Sequence, residues 1–209
     1  MIPRFPCYLF DVDGTLLDSA ADICGAVSTV LANRSINHVP FELLKSYIGR
    51  HLQDLFADLF PNAPQDHIDL LIAEYRRTYP ARGHAATSVY PGVAEALSRL
   101  PGRKSTATTK GTPTTRAVLE QFRLLSYFDH VQGTDGFPSK PAPDVILRSL
   151  ETLAVSPEDC LLVGDSTADM EAGRRAGVKI CAVRYGYGEA QELARWDPDY
   201  WLSDLRELL

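Results

Sequence analysis

Apolar residues change pace along this chain, and the change divides it. The run Cys7 to Phe10 is short and apolar and stops at Asp11-Val12-Asp13-Gly14-Thr15. That pattern predicts a buried strand delivering acidic residues to a turn. After Leu17 the period becomes helical. Ser19 and Asp22 have the S-x-x-D spacing of a capping box, which predicts a helix from there through Ala32. Amphipathic stretches follow over Phe41 to Phe60 and Gln65 to Tyr79. No strand is expected between Leu17 and Ser88, so an all-helical insertion of about 70 residues separates the first strand from the rest.

From Tyr90-Pro91-Gly92 onward, short apolar runs alternate with helical stretches, the signature of an α/β fold in which helices cover both faces of a parallel sheet. The expected strands are Ser105–Thr108, His130–Gln132, Cys160–Val163, Lys179–Val183 and Tyr200–Leu202. The expected helices include Thr114–Phe122, Val145–Leu153 and Asp169–Ala176. Neither an internal repeat nor a low-complexity tract is present.

Composition narrows the function classes. A formal net charge of -6 over 209 residues argues against a nucleic-acid partner, which calls for a basic stripe. A small anionic substrate would need local cations or a metal to overcome that field. Cys7, Cys24, Cys160 and Cys181 form no CxxC pair and read as buried thiols suited to a reducing cytosol. No stretch approaches the roughly 20 apolar residues of a membrane span, and no secretory segment opens the chain, so a cytoplasmic protein with no membrane partner is expected.

Open parallel sheets bind ligands beyond the carboxyl ends of their strands. At those ends stand Asp11 and Asp13, then Thr108-Thr109-Lys110, Lys140 in a proline-rich loop, and Gly164-Asp165. Phosphoryl transfer needs a positioned nucleophile, charge neutralisation and a proton shuttle. Asp11 can attack phosphorus and hold the group as an aspartyl phosphate. Asp13, two residues on, projects to the same side of an extended chain and can serve as both acid and base. Bringing a phosphate up to several carboxylates costs about 4 kcal/mol per close pair at an effective dielectric near 20. A counter-charge is therefore required, and an oxygen-only ligand set suits Mg²⁺.

The same residues, read as motifs, resemble the haloacid dehalogenase superfamily. Asp11-Val12-Asp13-Gly14-Thr15-Leu16 is similar to its first motif, Thr108 to its second, and Lys140 in Lys140-Pro141-Ala142-Pro143-Asp144 to its third. Gly164-Asp165-Ser166-Thr167-Ala168-Asp169 is similar to its acidic fourth. Four motifs in order, with a helical insertion after the first, span essentially the whole chain. The resemblance implies a Rossmann-like core of residues 1–16 and 89–209, with residues 17–88 forming a helical cap. It implies Mg²⁺ held by Asp11, Asp165 and the backbone carbonyl of Asp13, with Thr108 and Lys140 on the phosphate. Gly14, Thr109 and Arg50 are the candidate substrate contacts, and Thr109 stands where relatives often carry asparagine or serine. Thr112-Pro113 reads as a helix start that would aim a positive end at the phosphate.

Blander readings attach to several of these residues. Ser166 and Asp169 also make a capping box, so Asp169 either binds the metal directly or orients the residues that do. Lys140 taken alone is a solvated loop lysine and Thr108 an ordinary strand residue. A calcium loop at Asp11 fails because Leu16 stands where glycine is required. Gly186-Tyr187-Gly188 is a loop and no dinucleotide fingerprint, and no P-loop occurs. The scattered histidines lack zinc spacing.

Within the superfamily, the phosphoglycolate phosphatase and β-phosphoglucomutase branch is the nearest likeness. Hydrolysis of a small phosphorylated metabolite, 2-phosphoglycolate first, is expected. Asp13 argues against a dehalogenase, which lacks that carboxylate. A phosphomutase uses the same aspartyl phosphate and stays open, as does a non-catalytic phosphate-binding module.

Overall fold

The computed structural model describes residues 2–209. In chain order the regular elements are β1 (Cys7–Phe10), β2 (Leu17–Asp18), α1 (Ala20–Ala32), α2 (Phe41–Lys45), α3 (Leu52–Leu59), α4 (Gln65–Ala81), β3 (Ser88–Val89) and α5 (Val93–Arg99). Then follow β4 (Arg103–Thr106), α6 (Thr112–Gln121), α7 (Asp144–Leu153), β5 (Cys160–Gly164), α8 (Thr167–Ala176), β6 (Lys179–Val183), α9 (Ala190–Ala194) and β7 (Tyr200–Leu202). Five strands form one parallel sheet in the order β4-β1-β5-β6-β7. Phe10 is in register with both Thr106 and Val163, so Asp11 emerges at the carboxyl edge between its two neighbours.

The sheet is apolar on both faces because helices cover both, and alternation along each strand sends side chains to opposite layers. Tyr8 and Phe10 enter one core with Leu161, Val163, Val118 and Leu97. Cys7 and Leu9 enter the other with Leu162, Ile180, Ile146 and Met170. A third cluster, centred on Phe56, Leu71, Val30 and Leu31, lies within α1 to α4. All four cysteines are free and buried. No helix among the described residues is long and apolar enough to cross a membrane.

Within the fold, several elements depart from the sequence expectations. The segment His130–Gln132 forms no strand; Thr106 Oγ1, on the edge strand, accepts from the Gln132 amide and donates to its carbonyl, both at 2.9 Å. A side chain thus takes the place of a backbone ladder there. The second expected strand starts earlier, at Arg103, since Lys104 buries its stem and runs its ammonium back to the carbonyls of Leu100 and Gly102. The stretch Phe41 to Phe60 breaks into α2 and α3 around Gly49, whose φ of 92° places it in the left-handed region. A Cβ on Gly49 would stand 3.0 Å from Ser166 Cβ, so this loop rests on the head of α8. Finally, the insertion is not wholly helical at its base: Leu17 pairs with Val89 and Asp18 with Ser88 where the chain leaves and returns.

Separate apolar clusters predict separable cooperativity. Phe56→Ala, at a fully buried position, should cost about 3–5 kcal/mol. Hydrogen exchange should then show α1, α3 and α4 losing protection while β1 and β5 keep theirs. Uniform loss across both regions would show one indivisible unit.

Candidate active site

Four buried charges meet at the carboxyl edge of the sheet. Asp11 follows β1, Asp165 follows β5, and Asp169 lies in the first turn of α8. Lys140 arrives from the loop before α7, its ammonium 2.9 Å from Asp11 Oδ1 and also paired with Asp169 Oδ1. One oxygen from each of the three carboxylates lies within 4.8 Å of the others, a grouping able to hold a metal ion. Lys140 is only 2 % exposed, so the solvated-lysine reading fails. An ammonium in that setting persists only because carboxylates answer it.

The electrostatics are lopsided, with three carboxylates facing one ammonium. Burial pushes Asp11 up to about 7, against the pull of Lys140, and Asp169 and Asp13 add repulsion. Burial, then Asp11 and Asp169, hold Asp165 well above the ordinary carboxylate range. Burial by itself lowers the Lys140 ammonium, but Asp11 and Asp169 outweigh it and the net shift is upward. A hard divalent cation would answer the remaining negative charge.

Asp169 has both oxygens engaged. Oδ1 takes Lys140, and Oδ2 accepts from the Ser166 amide at 3.0 Å and from its hydroxyl at 2.6 Å. The capping box of α8 is therefore real, and the same carboxylate positions the lysine. Asp165 sits in a glycine cradle. A Cβ on Gly14, at φ 90°, would fall 2.2 Å from Asp165 Oδ2, so the first-motif glycine is there for close approach to this carboxylate. Thr15 Oγ1 donates to Asp165 Oδ1 at 3.1 Å, and the Tyr187 amide donates to Oδ2 at 2.7 Å.

Asp13 is held apart from that cluster. Ser19 Oγ donates to its Oδ1 at 2.6 Å, and Lys110 Nζ lies 3.2 Å from its Oδ2. The Ser19/Asp22 capping box does not form. Ser19 makes no side-chain cap, and Asp22 instead accepts from Arg82, the Ala86 amide and Thr87 Oγ1, tying α1 to the returning chain. Local spacing loses here to groups that only the fold brings near.

Thr108 is buried, and its hydroxyl accepts from the Lys110 amide at 3.2 Å. Beside it, α6 starts at Thr112, two residues before the expected Thr114, with Gly111 as its cap. Thr112 Oγ1 is occupied by the Gly133 amide, and the Thr112 amide donates to Asp135. The first amide of that helix is therefore already answered by a carboxylate, and Pro113 and Thr114 of the same turn line the cavity.

Thr109 and Arg50 line a cavity of about 480 Å³ that also takes in Asp13, Lys110, Arg76 and Tyr79. Its upper wall is apolar, with Ile23, Val27, Leu44 and Ile72 from the helical insertion. The Arg50 guanidinium rests over the Tyr47 ring, 5.3 Å from its centroid. Sequence reasoning placed Ser19 as a helix cap and assigned no role to Lys110, Tyr79 or Tyr187. Lys110 had a signal, its place two residues after Thr108, and Ser19 lies six residues after Asp13; Tyr79 and Tyr187 are distant in sequence from every motif.

Comparisons with known proteins bear on the chain as a whole. A family model described as haloacid dehalogenase-like hydrolase matches residues 8–183. Phosphoglycolate phosphatase of Nitrosospira multiformis is 35% identical over 95% of this chain and 92% of its own. N-acetylmuramic acid 6-phosphate phosphatase of Pseudomonas putida is 30% identical over 97% and 91% respectively. The crystal structure of a haloacid dehalogenase-like hydrolase from Bacteroides fragilis superposes with a TM-score of 0.93 at 28% identity, covering 99% of this chain and 100% of the other.

The raised carboxylates give the pH dependence a sign. Without a cation, a group whose folded pKa lies above its unfolded value loses stabilising weight as pH rises toward about 7. A cation favours the ionised forms. The gain in Tm on adding Mg²⁺ should therefore grow between about pH 5.5 and pH 8, measured by calorimetry with and without the ion. A gain that stays flat across that range would remove Asp11 and Asp165 as the binding groups.

Proposed function

Because this chain belongs to the haloacid dehalogenase-like hydrolase family, we propose that it is a Mg²⁺-dependent phosphatase of small phosphomonoesters, with Asp11 as nucleophile and 2-phosphoglycolate as its first-choice substrate. The observation that carries the reading is the buried Asp11–Lys140–Asp169 arrangement with Asp165 alongside and Asp13 held separately. A purely structural ion pair has no use for a third and fourth carboxylate, which add repulsion and cost.

In the first half-reaction an Asp11 oxygen attacks phosphorus while the ester P–O bond breaks, and the leaving oxygen takes its proton from Asp13. The alcohol departs and the phosphoryl group stays on Asp11. In the second, water gives a proton to Asp13 as its oxygen attacks phosphorus; the Asp11–phosphorus bond breaks and inorganic phosphate leaves. Lys140 neutralises the nucleophile's surroundings and the equatorial oxygens, and the Thr108 hydroxyl donates to the phosphate. The donor set fits Mg²⁺, which Asp11, Asp165 and the Asp13 carbonyl would hold and which would supply positive charge against the incoming phosphate. Asp169, with both oxygens already engaged, orients Lys140.

Residues 17–88 act in this reading as a cap over the core of residues 1–16 and 89–209, closing to exclude water and select the alcohol portion. Arg50 and Thr109, which line the cavity, would contact the substrate, whereas Gly14 is packed against Asp165 and would reach the phosphate by its backbone alone. A reducing cytoplasm suits the four unpaired thiols. A second reading, a larger sugar phosphate, is favoured by the cavity of about 480 Å³, whose lining sets Arg50 and Arg76 beside Ile23, Val27, Leu44 and Ile72 and leaves room beyond a two-carbon acid. The relative named as acting on N-acetylmuramic acid 6-phosphate points the same way.

Phosphate release should be measured with Mg²⁺ across 2-phosphoglycolate, hexose and amino-sugar phosphates, nucleotides and pyrophosphate. Asp11→Asn should lower turnover by about 10³-fold or more at unchanged fold. First rank for 2-phosphoglycolate supports the first reading, and first rank for an amino-sugar phosphate supports the second. An Asp11→Asn variant as active as wild type would refute the nucleophile assignment.

A further inference from the structure

Helix α1 begins without a cap from its own sequence. Ser19 stands at the N-cap but makes no side-chain cap, although the first amides of any helix need partners. They find one far along the chain. The Ser19 and Ala20 amides donate to the hydroxyl of Tyr187 at 2.7 Å and 3.0 Å, across 168 and 167 residues of sequence. The same hydroxyl donates its proton to Asp18 Oδ1 at 3.0 Å. Burial pushes the phenol pKa up and keeps that proton in place.

Tyr187 is also fixed at its other end. Its amide donates to Asp165 Oδ2 at 2.7 Å. Its neighbours are glycines for a steric reason: a Cβ on Gly186 would lie 2.2 Å from Asp165 Cβ, and one on Gly188 would lie 2.0 Å from the Asp165 carbonyl oxygen. The loop is pressed against Asp165 and cannot slide along it. One residue therefore joins the acidic cluster of the core to the first turn of the helical insertion.

The consequence falls on Ser19. A serine at this position ordinarily turns its hydroxyl to an amide of its own helix. Here that hydroxyl donates to Asp13 Oδ1 at 2.6 Å. The amides that Tyr187 takes are those of Ser19 and Ala20, not the later ones a serine cap would serve, so the bond fixes the Ser19 backbone where its hydroxyl meets Asp13. We propose that Tyr187 is a positioning residue that anchors the start of α1 from across the core and thereby places Ser19 to hold Asp13 toward the leaving oxygen. The inference rests on the phosphatase reading above, because Asp13 must be the proton donor for the positioning to matter.

The test exploits the leaving group. p-Nitrophenolate departs without needing a proton, whereas an alkoxide does not, and kcat/KM reports only the steps up to leaving-group departure. Tyr187→Phe should lower kcat/KM about tenfold on 2-phosphoglycolate and by less than about twofold on p-nitrophenyl phosphate. Ser19→Ala should show the same selectivity. The double variant should be no worse than the poorer single one, as expected for residues acting in series. Hydrogen exchange supplies a readout independent of turnover: the Ser19 and Ala20 amides should lose protection in Tyr187→Phe while β1 and β5 do not. Equal losses on both esters, additive effects in the double variant, or unchanged protection at α1 would each overturn the proposal. Should Tyr187→Phe fold poorly, the wild type still decides the clamp, since Ser19 and Ala20 amides open to exchange would overturn it, and Ser19→Ala losing equally on both esters would overturn the hold on Asp13. Were wild type inert on both esters, the phosphatase reading itself would fail, and α1 protection would still report whether the clamp exists.

Discussion

Burying Lys140 between Asp11 and Asp169, with Asp165 beside them, is the constraint to which most of the surrounding structure answers. An ammonium taken out of water is costly unless matched, and a carboxylate likewise. Here the matching is incomplete by design of the ligand set: the carboxylates outnumber the ammonium, and Asp11 and Asp165 are both pushed upward. A site with that imbalance is poised for positive charge. The parallel sheet makes it possible, since β1 and β5 are adjacent and in register and deliver their terminal carboxylates to the same edge.

Holding such a cluster requires backbone closer than side chains allow. Gly14, Gly164 and Gly186 each press on Asp165 or Asp169 at distances a Cβ would violate. Polar groups then fill the remaining valences: Thr15 and the Tyr187 amide on Asp165, and Ser166 on Asp169. The two S-x-x-D spacings in this chain show how context decides the outcome. At Ser166 and Asp169 the box closes, because Asp169 can serve the helix with one oxygen and Lys140 with the other. At Ser19 and Asp22 it opens, because Asp13, Arg82, Thr87 and Tyr187 offer each group a better partner.

The cavity spans two environments, and that division bears on selectivity. Its floor carries the polar groups of Asp13, Thr109 and Lys110, and its wall is made from the apolar faces of α1 and α4 with Arg50 and Arg76 among them. Lys110 links the two, pairing with Asp13 while lying 4.2 Å from the centre of the Tyr79 ring.

How much was legible in advance follows from how local each signal is. The strand ending in Asp11 and Asp13, the helical stretch after Leu17, and the α/β alternation after Tyr90 all rest on periodicity within a few residues, and they appear in the structure with small shifts. Lys140, Asp165 and Thr108 were found through motif company, since each motif is short and contiguous. The break at Gly49 and the absent strand at His130–Gln132 were not legible, because a loop resting on Ser166 and a threonine hydroxyl replacing a ladder depend on neighbours distant in sequence. Tyr187 was hidden for the same reason. By itself the sequence determined the fold class and the identity of the charged groups, through patterns whose period and spacing are local. Only the tertiary structure decided which hydroxyl meets which helix start and which carboxylate each cation answers, because those choices are competitions among partners from separate elements, from 29 residues apart for Lys140 and Asp169 to 168 for Tyr187 and Ser19.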